Sequence, residues 1–214
     1  MEKLAIFDVD FTLTKKETLM EFYKFMIRKD IKNIRFLPRA AFSGIMFILK
    51  IFDERKTKET FLKFIDKIDE DKLKEIVKDY YEKVLSKIFY KDGVDMIKKL
   101  KSEGYKIYLI SASPEFYLKE LYNIKEVDKV IGTKFRFNDN KVFLRKIDGE
   151  NCKGKEKVRR LMEELKKENI KVDFKDSYMF SDSLSDKPLF DLVGHPYLIN
   201  YRGKNNLIKI LKWN

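Results

Sequence analysis

The chain of 214 residues contains a single cysteine and a single histidine. Cys152 has no second cysteine with which to form an internal disulfide, which suits a reducing compartment. A structural zinc site takes about four Cys or His ligands, and this chain does not contain them. A Ser-His-Asp or Cys-His catalytic arrangement would depend on His195, which we place in a loop before a late strand. We therefore expect any metal to be a hard cation held by oxygen ligands.

Long apolar runs are also missing. The longest mainly apolar stretch covers residues 40–49, which is too short to cross a bilayer because a membrane-spanning helix needs about 20 such residues. We predict a buried helix there. The first residues do not form a basic segment followed by an apolar one, so we expect no signal peptide and a cytoplasmic protein.

Acidic residues are outnumbered by basic ones, 35 against 47, which gives a net charge of +12. Such a charge suits nucleic acid, anionic lipid or a phosphorylated substrate as a partner. Most lysines recur at solvent-facing helical positions, and no nucleic-acid-binding motif is present, so we do not expect a nucleic-acid partner. In residues 28–50, however, basic side chains precede an apolar helix, as in membrane-surface helices. Peripheral contact with an anionic membrane therefore remains an alternative.

The hydrophobic pattern divides the chain into three parts. A short apolar strand at residues 4–8 is followed by helical periodicity from residue 17 to about residue 89. From residue 91 onward, strands alternate with helices, which predicts a parallel α/β sheet. We therefore predict a Rossmann-like α/β core made of residues 1–14 and 90–214. An all-helical cap, residues 15–89, is inserted after the first strand.

Four polar clusters lie where predicted strands end or helices begin: residues 8–12, 111–114, 152–157 and 180–186. Ligands bind at the carboxyl ends of strands in open α/β sheets. Two carboxylates one residue apart, Asp8 and Asp10, repel each other unless a cation lies between them, and Mg²⁺ is the natural candidate. Hydroxyls at a helix N-terminus, such as that of Ser111, favour an anion.

These clusters resemble the four motifs of the haloacid dehalogenase superfamily. The residues that carry the resemblance are Asp8, Asp10, Thr12, Ser111, a lysine within 153–157, Asp182 and Asp186. The helical block between the first and second motifs resembles the type-IB subfamily, which includes phosphoserine phosphatase. The resemblance covers nearly the whole chain and implies a magnesium-dependent phosphatase.

The resemblance implies a role for each acid. Asp8 would be the nucleophile that forms an aspartyl-phosphate, and Asp10 would be the general acid and base. Mg²⁺ would be bound by Asp8, the backbone carbonyl of Asp10 and Asp182. Asp186 would support the metal through water or a hydrogen bond. A dehalogenase would not need Asp10 and Asp182, so their presence argues against that activity.

The resemblance also implies a phosphate-binding group made of Ser111, the amide of Ala112 and one lysine. Two lysines are candidates for this position. The phosphoserine phosphatase pattern selects Lys153, whereas the pattern of other type-IB members selects Lys157. Helical spacing favours Lys157, because the apolar positions that follow it would form a buried face. Lys153 remains the alternative.

The substrate is less clearly indicated than the reaction. Glu17 stands where phosphoserine phosphatases carry an acid that binds an ammonium group, although an acid at a helix start is equally explained by the helix dipole. We expect a small, phosphoserine-like phosphomonoester, with a lipid phosphate as an alternative. A non-catalytic phosphate-binding or phosphoreceiver-like protein is a further alternative, but receivers lack the helical insert and do not need Asp10.

Overall fold

The computed structural model describes all residues from 1 to 214 and contains eight strands. They are β1 (Leu4–Phe7), β2 (Lys106–Pro114), β3 (Val127–Thr133), β4 (Phe135–Phe137), β5 (Phe143–Ile147), β6 (Tyr178–Ser181), β7 (His195–Ile199) and β8 (Lys209–Leu211). Six of them form one parallel sheet in the order β3-β2-β1-β6-β7-β8. The remaining two, β4 and β5, form an antiparallel hairpin.

Eight α-helices accompany the strands. They are α1 (Thr18–Lys29), α2 (Leu37–Ile48), α3 (Glu54–Phe61), α4 (Glu70–Lys83), α5 (Lys91–Ser102), α6 (Glu115–Leu118), α7 (Lys155–Lys167) and α8 (Lys187–Phe190). The first four follow one another with only 3-10 turns and loops between them, and no strand of the main sheet interrupts them. The prediction of an α/β fold with a parallel sheet is confirmed.

Strand β1 lies in the middle of the sheet, between β2 and β6. Its four residues are all completely buried, as expected for a strand covered on both faces. The chain runs outward from β1 to β3 on one side and from β6 to β8 on the other. This reversal of direction creates a crevice beside the carboxyl end of β1, where open α/β sheets bind their ligands.

Side chains of β1 alternate between two hydrophobic cores, as the twofold period of a strand requires. Phe7 packs in the larger core, which also contains Phe22 of α1 and Tyr80 of α4. The rings of Phe22 and Tyr80 meet edge to face, with 5.1 Å between their centroids. Ile6 packs in the smaller core on the opposite face, with Leu161 of α7. The helical segment after β1 is therefore attached to one face of the sheet by aromatic packing.

Helix α2 contradicts the prediction of a buried helix at residues 40–49. Only Ser43 of this helix is buried, while Ile45 is 53% exposed and Ile48 is 77% exposed. The apolar composition indicated burial, but no element of the chain covers this side of the helix. No helix of the structure has the length and apolar character needed to cross a membrane.

One prediction near the end of the chain was also wrong. His195 begins strand β7 rather than lying in a loop, and its ring stacks on Tyr178 with 4.7 Å between centroids. The chain continues into a further strand, β8, which pairs with β7 at the edge of the sheet. At three residues, β8 is too short to give a clear pattern.

Candidate active site

The parallel register brings the predicted site residues to one edge of the sheet. Phe7 of β1 lies opposite Leu109 of β2 and Phe180 of β6, and the Asp8 amide donates a 2.9 Å hydrogen bond to the Phe180 carbonyl. A cavity of about 570 Å³ opens at this edge. It is lined by all nine predicted site residues: Asp8, Asp10, Glu17, Ser111, Ala112, Lys153, Lys157, Asp182 and Asp186.

Lys157 lies at the bottom of the cavity, between two carboxylates. Its Nζ atom is 2.7 Å from Oδ1 of Asp8 and 2.7 Å from Oδ2 of Asp186. The lysine belongs to the first turn of α7, which follows Gly154 with a φ of +55°, a conformation that glycine adopts most easily. Lys153, one turn earlier, instead forms an ion pair with Glu54. The structure thus places Lys157, and not Lys153, against Asp8.

Thr12 connects Asp8 with Asp182. Its Oγ1 atom lies 3.3 Å from Oδ2 of Asp8 and 3.4 Å from Oδ1 of Asp182, and it accepts a 2.8 Å hydrogen bond from the Asp182 amide. The turn that positions Thr12 passes through Phe11, whose φ of +58° lies in the left-handed region, which a non-glycine residue rarely occupies. The two carboxylates therefore face the same space.

The surroundings of Asp8 and Asp182 disfavour the charged forms of both carboxyl groups. Burial raises the pKa of Asp8 to about 7, and repulsion from Asp186 and Asp10 adds to this rise. Attraction to Lys157 lowers the pKa but does not cancel the rise. Burial and repulsion from Asp186 also raise the pKa of Asp182 to about 6. One ammonium group does not neutralise these carboxylates. A bound cation would stabilise their charged forms.

The donor set fits Mg²⁺. Oxygen atoms of Asp8 and Asp182 face one space, and the backbone carbonyl of Asp10 belongs to the same loop. The structure contains no group of three Asp, Glu, His or Cys side chains that could hold a metal ion by themselves. The predicted set of metal ligands, however, needs only two carboxylates and one backbone carbonyl. Oδ1 of Asp186 is buried without a hydrogen-bond partner, and a metal-bound water would satisfy it.

The Asp10 carboxylate has hydrogen-bond partners that differ from those of Asp8. Oδ1 of Asp10 accepts a 2.6 Å hydrogen bond from the amide of Thr18 at the start of α1, and Oδ2 accepts one of 2.6 Å from the hydroxyl of Ser113. The Ser111 hydroxyl lies 3.5 Å from Oδ2. The helix N-terminus and Ser113 thus fix the orientation of the Asp10 carboxylate. The sequence predicted a role for Ser111 but none for Ser113, although both belong to one motif.

Residues from the helical segment complete the cavity. The Nζ atom of Lys58, on α3, lies 2.6 Å from the Ala112 carbonyl and 2.6 Å from Oδ1 of Asn151. Burial lowers the pKa of Lys58 to about 8. Glu17 accepts a 2.6 Å hydrogen bond from the Met20 amide, and burial followed by repulsion from Asp10 raises the pKa of Glu17 to about 7.

Sequence reasoning missed Lys58. It lies in the charged run of residues 54–59, where nothing distinguishes a lysine that points into a cavity from one that points into solvent. Glu54, which binds both Asn151 and Lys153, was missed for the same reason. Only the folded position of α3, from which Lys58 reaches the Ala112 carbonyl of β2, reveals that both residues line the site.

Known proteins resemble this chain in fold and sequence. A solved structure of a Bordetella pertussis protein of unknown function has a TM-score of 0.85 at 20% identity, covering 94% of this chain and 92% of that one. A phosphoserine phosphatase, solved as a phospho-aspartyl intermediate analogue, has a TM-score of 0.64 at 17% identity, covering 94% and 88%. A Mycobacterium tuberculosis protein named as a probable phosphatase is 22% identical over 202 residues, covering 92% of this chain and 68% of its own length.

A whole family, rather than a single protein, also matches most of the chain. Residues 5–191 match the haloacid dehalogenase-like hydrolase family, and this range contains every predicted site residue. The sequence-based resemblance to this superfamily is therefore confirmed, as is the prediction of an enzyme. The chain belongs to the haloacid dehalogenase-like hydrolases.

Proposed function

We propose that the protein is a magnesium-dependent phosphomonoester hydrolase that works through an aspartyl-phosphate on Asp8. One observation carries this proposal: Asp8 and Asp10 face a single cavity from the end of the central strand, and each has different partners. Asp8 contacts the buried ammonium group of Lys157, whereas Asp10 is held by the start of α1 and by Ser113. Such separation suits a nucleophile and a general acid.

In the first step, a carboxylate oxygen of Asp8 attacks phosphorus and the bond to the leaving oxygen breaks. Asp10 gives its proton to that oxygen, because an alkoxide is a poor leaving group. Ser111, the Ala112 amide and Lys157 bind the phosphoryl oxygens. In the second step, Asp10 takes a proton from water as the water attacks phosphorus, which releases phosphate and restores Asp8. When bound, Mg²⁺ supplies positive charge that stabilises the phosphoryl oxygens.

Lys157 has a second role in this scheme. Burial alone would lower the pKa of Lys157, but Asp8 and Asp186 raise it above its usual range, so the side chain stays charged. Its charge opposes the effect of burial on Asp8 and favours the carboxylate that must attack. Asp186 holds the lysine in place and in turn accepts a 2.8 Å hydrogen bond from Ser181.

The cavity favours a small phosphomonoester that carries further charged groups. Glu17 and Lys58 line the cavity with opposite charges, both supplied by the segment that follows β1. Glu17 suits a substrate ammonium group, and Lys58 suits a carboxylate or phosphate. The phosphoserine phosphatase among the similar structures supports such a phosphoserine-like substrate. We propose that residues 15–89 act as the cap that selects it.

The test is the release of phosphate from para-nitrophenyl phosphate, with Mg²⁺ and with EDTA. We expect many turnovers with Mg²⁺, none with EDTA and none for Asp8→Asn. Asp139→Asn is the matched control, because Asp139 is an exposed aspartate outside the cavity, and it should retain full activity. Phosphorylation without repeated release would contradict the proposal and support a phosphoreceiver-like protein instead.

A further inference from the structure

Helix α2 and the turn that follows it carry an apolar face that no other element covers. Sixteen large hydrophobic side chains of the protein are exposed, and nine of them lie within residues 31–51. We use the name α2 face for five of these: Phe42, Ile45, Ile48, Leu49 and Ile51. In the helix and at its end, Ile45 lies three residues after Phe42, three before Ile48 and four before Leu49, so these side chains share one side of it. Such concentration distinguishes the α2 face from scattered exposed residues and indicates an interaction site.

The surroundings of the α2 face are basic. Residues 31–51 contain four cations, Lys32, Arg35, Arg39 and Lys50, and no acidic residue. None of the four forms an ion pair, although salt bridges are frequent elsewhere in the protein. Unpaired cations around an exposed apolar surface indicate that the partner supplies negative charge.

We propose that the α2 face docks on an anionic lipid surface. An amphipathic helix of this kind buries its apolar side chains at the boundary between head groups and acyl chains, while the flanking Lys and Arg side chains contact anionic head groups. A second copy of the chain is a less suitable partner, because two surfaces rich in unpaired cations repel each other and each chain has a net charge of +12. An anionic lipid surface offers acyl chains to the apolar side chains of the α2 face and negative charge to the cations around it.

The α2 face adjoins the candidate active site. Phe47 lines the catalytic cavity together with Asp8, and it also lines the shallow groove formed by Ile48, Ile51 and Phe52. A protein docked through the α2 face therefore holds the mouth of its cavity beside the lipid head groups. Phe47 itself is unsuitable for a test, since changing it would also alter the cavity.

The experiment is cosedimentation of the full chain with vesicles, one set of phosphatidylcholine alone and one containing phosphatidylglycerol. We expect binding to the anionic vesicles that weakens with added salt, and little binding to the neutral ones. Ile48→Asn combined with Ile51→Asn should weaken binding about tenfold or more, because each isoleucine loses its contact with the acyl chains. Leu207→Asn is the matched control, since Leu207 is 94% exposed and lies in the loop before β8.

A second pair of double variants separates the effect of the cations around the α2 face from the effect of the protein's net charge. Arg35→Glu with Arg39→Glu should weaken binding more than about thirtyfold. Lys166→Glu with Lys167→Glu, at the end of α7, changes the net charge equally and should have a smaller effect. All these variants should retain hydrolysis of para-nitrophenyl phosphate, which shows that they fold.

Three results would overturn the proposal. The first is an absence of binding to the anionic vesicles. The second is binding that the Ile48 and Ile51 changes leave intact, since the charge of the whole surface would then suffice. Concentration-dependent dimerisation that these changes abolish would assign the face to a second copy and also overturn the proposal. Asp8→Asn should bind vesicles as the unchanged protein does, so failure of the proposed hydrolase activity and failure of docking are distinguishable.

Discussion

The Nζ atom of Lys157 lies 2.7 Å from Oδ1 of Asp8, and both side chains are buried. The two residues are 149 positions apart in the chain. Helix α7 packs on one face of the sheet through Leu161, and its first turn brings Lys157 to the residue that follows β1. A buried lysine between two carboxylates is costly to disturb, because removing it leaves uncompensated negative charge.

Replacement of Lys157 by Met should therefore affect both activity and stability. We expect kcat to fall about 100- to 1000-fold, because a donor to the phosphoryl oxygens is lost. The free energy of unfolding should fall by about 3 kcal/mol, because Asp8 and Asp186 lose their shared partner. Steady-state kinetics and urea unfolding measure the two effects. Lys155→Met, on an exposed lysine of the same turn, should change neither, and a Lys157→Met enzyme with unchanged kcat would contradict the assigned role.

The role of Asp10 predicts a dependence on the leaving group. Asp10→Asn should reduce kcat/KM for an alkyl phosphate about 100- to 10,000-fold, because an alkoxide needs the proton. The phosphorylation step with para-nitrophenyl phosphate should be affected much less, since para-nitrophenolate leaves without one. Presteady-state release of para-nitrophenol measures that step. Equal losses for both substrates would argue against a general acid at this position.

Ser113→Ala provides the matched comparison for Asp10. It removes the 2.6 Å hydrogen bond to Oδ2 of Asp10 but leaves the carboxyl group itself. We expect a loss of kcat that is smaller than that of Asp10→Asn and that again is greater for the alkyl phosphate. A loss of the same size for both substrates would indicate that Ser113 acts on something other than Asp10.

The lowered pKa of Lys58, about 8, predicts an alkaline limit. The ammonium group is charged below this pH and becomes neutral above it, so attraction for an anionic substrate is lost as the pH rises. We expect kcat/KM to decline above about pH 8, and Lys58→Arg, which remains charged, should move the decline to higher pH. Lys56→Arg, on an exposed lysine of the same helix, is the control. If kcat/KM of Lys58→Arg declines at the same pH as that of the unchanged protein, the decline does not come from Lys58.

Glu17 predicts substrate discrimination. If its carboxylate binds an ammonium group, Glu17→Gln should lower kcat/KM for phosphoserine about tenfold or more relative to phosphoglycolate, which lacks that group. The value of kcat for phosphoglycolate should change little, because Glu17 does not contact the reacting atoms in the proposed scheme. Parallel kinetics with both substrates provide the measurement. Equal effects on phosphoserine and phosphoglycolate would indicate that Glu17 acts only as the N-cap of α1, through its hydrogen bond from the Met20 amide.

The sequence was informative wherever residue type and strand position acted together. Asp8, Asp10 and Asp182 follow buried strands, and parallel strands bring their carboxyl ends to one edge, so the cavity that they line could be predicted. Lys157 could be chosen over Lys153 because the apolar positions after it have helical spacing, and the structure places it against Asp8.

Features that depend on long-range packing could not be predicted in this way. Lys58 is one of 47 basic residues, and only the folded position of α3 brings its Nζ atom to the Ala112 carbonyl in the cavity. The α2 helix has the composition of a buried element, but burial requires a covering partner, and hydrophobicity alone does not tell whether the chain provides one. The Ser113–Asp10 contact likewise depends on the bend at the end of β2.

The most direct test of the aspartyl-phosphate is to trap it in the Asp10→Asn variant, which should form the intermediate from para-nitrophenyl phosphate but hydrolyse it slowly. Acid quenching in the presence of Mg²⁺, followed by intact mass measurement and peptide mapping, locates the phosphoryl group. We predict one phosphoryl group per chain, on Asp8, removed by hydroxylamine and missing from the double variant Asp8→Asn/Asp10→Asn. A phosphoryl group on another residue, or an equal label on the double variant, would contradict the mechanism.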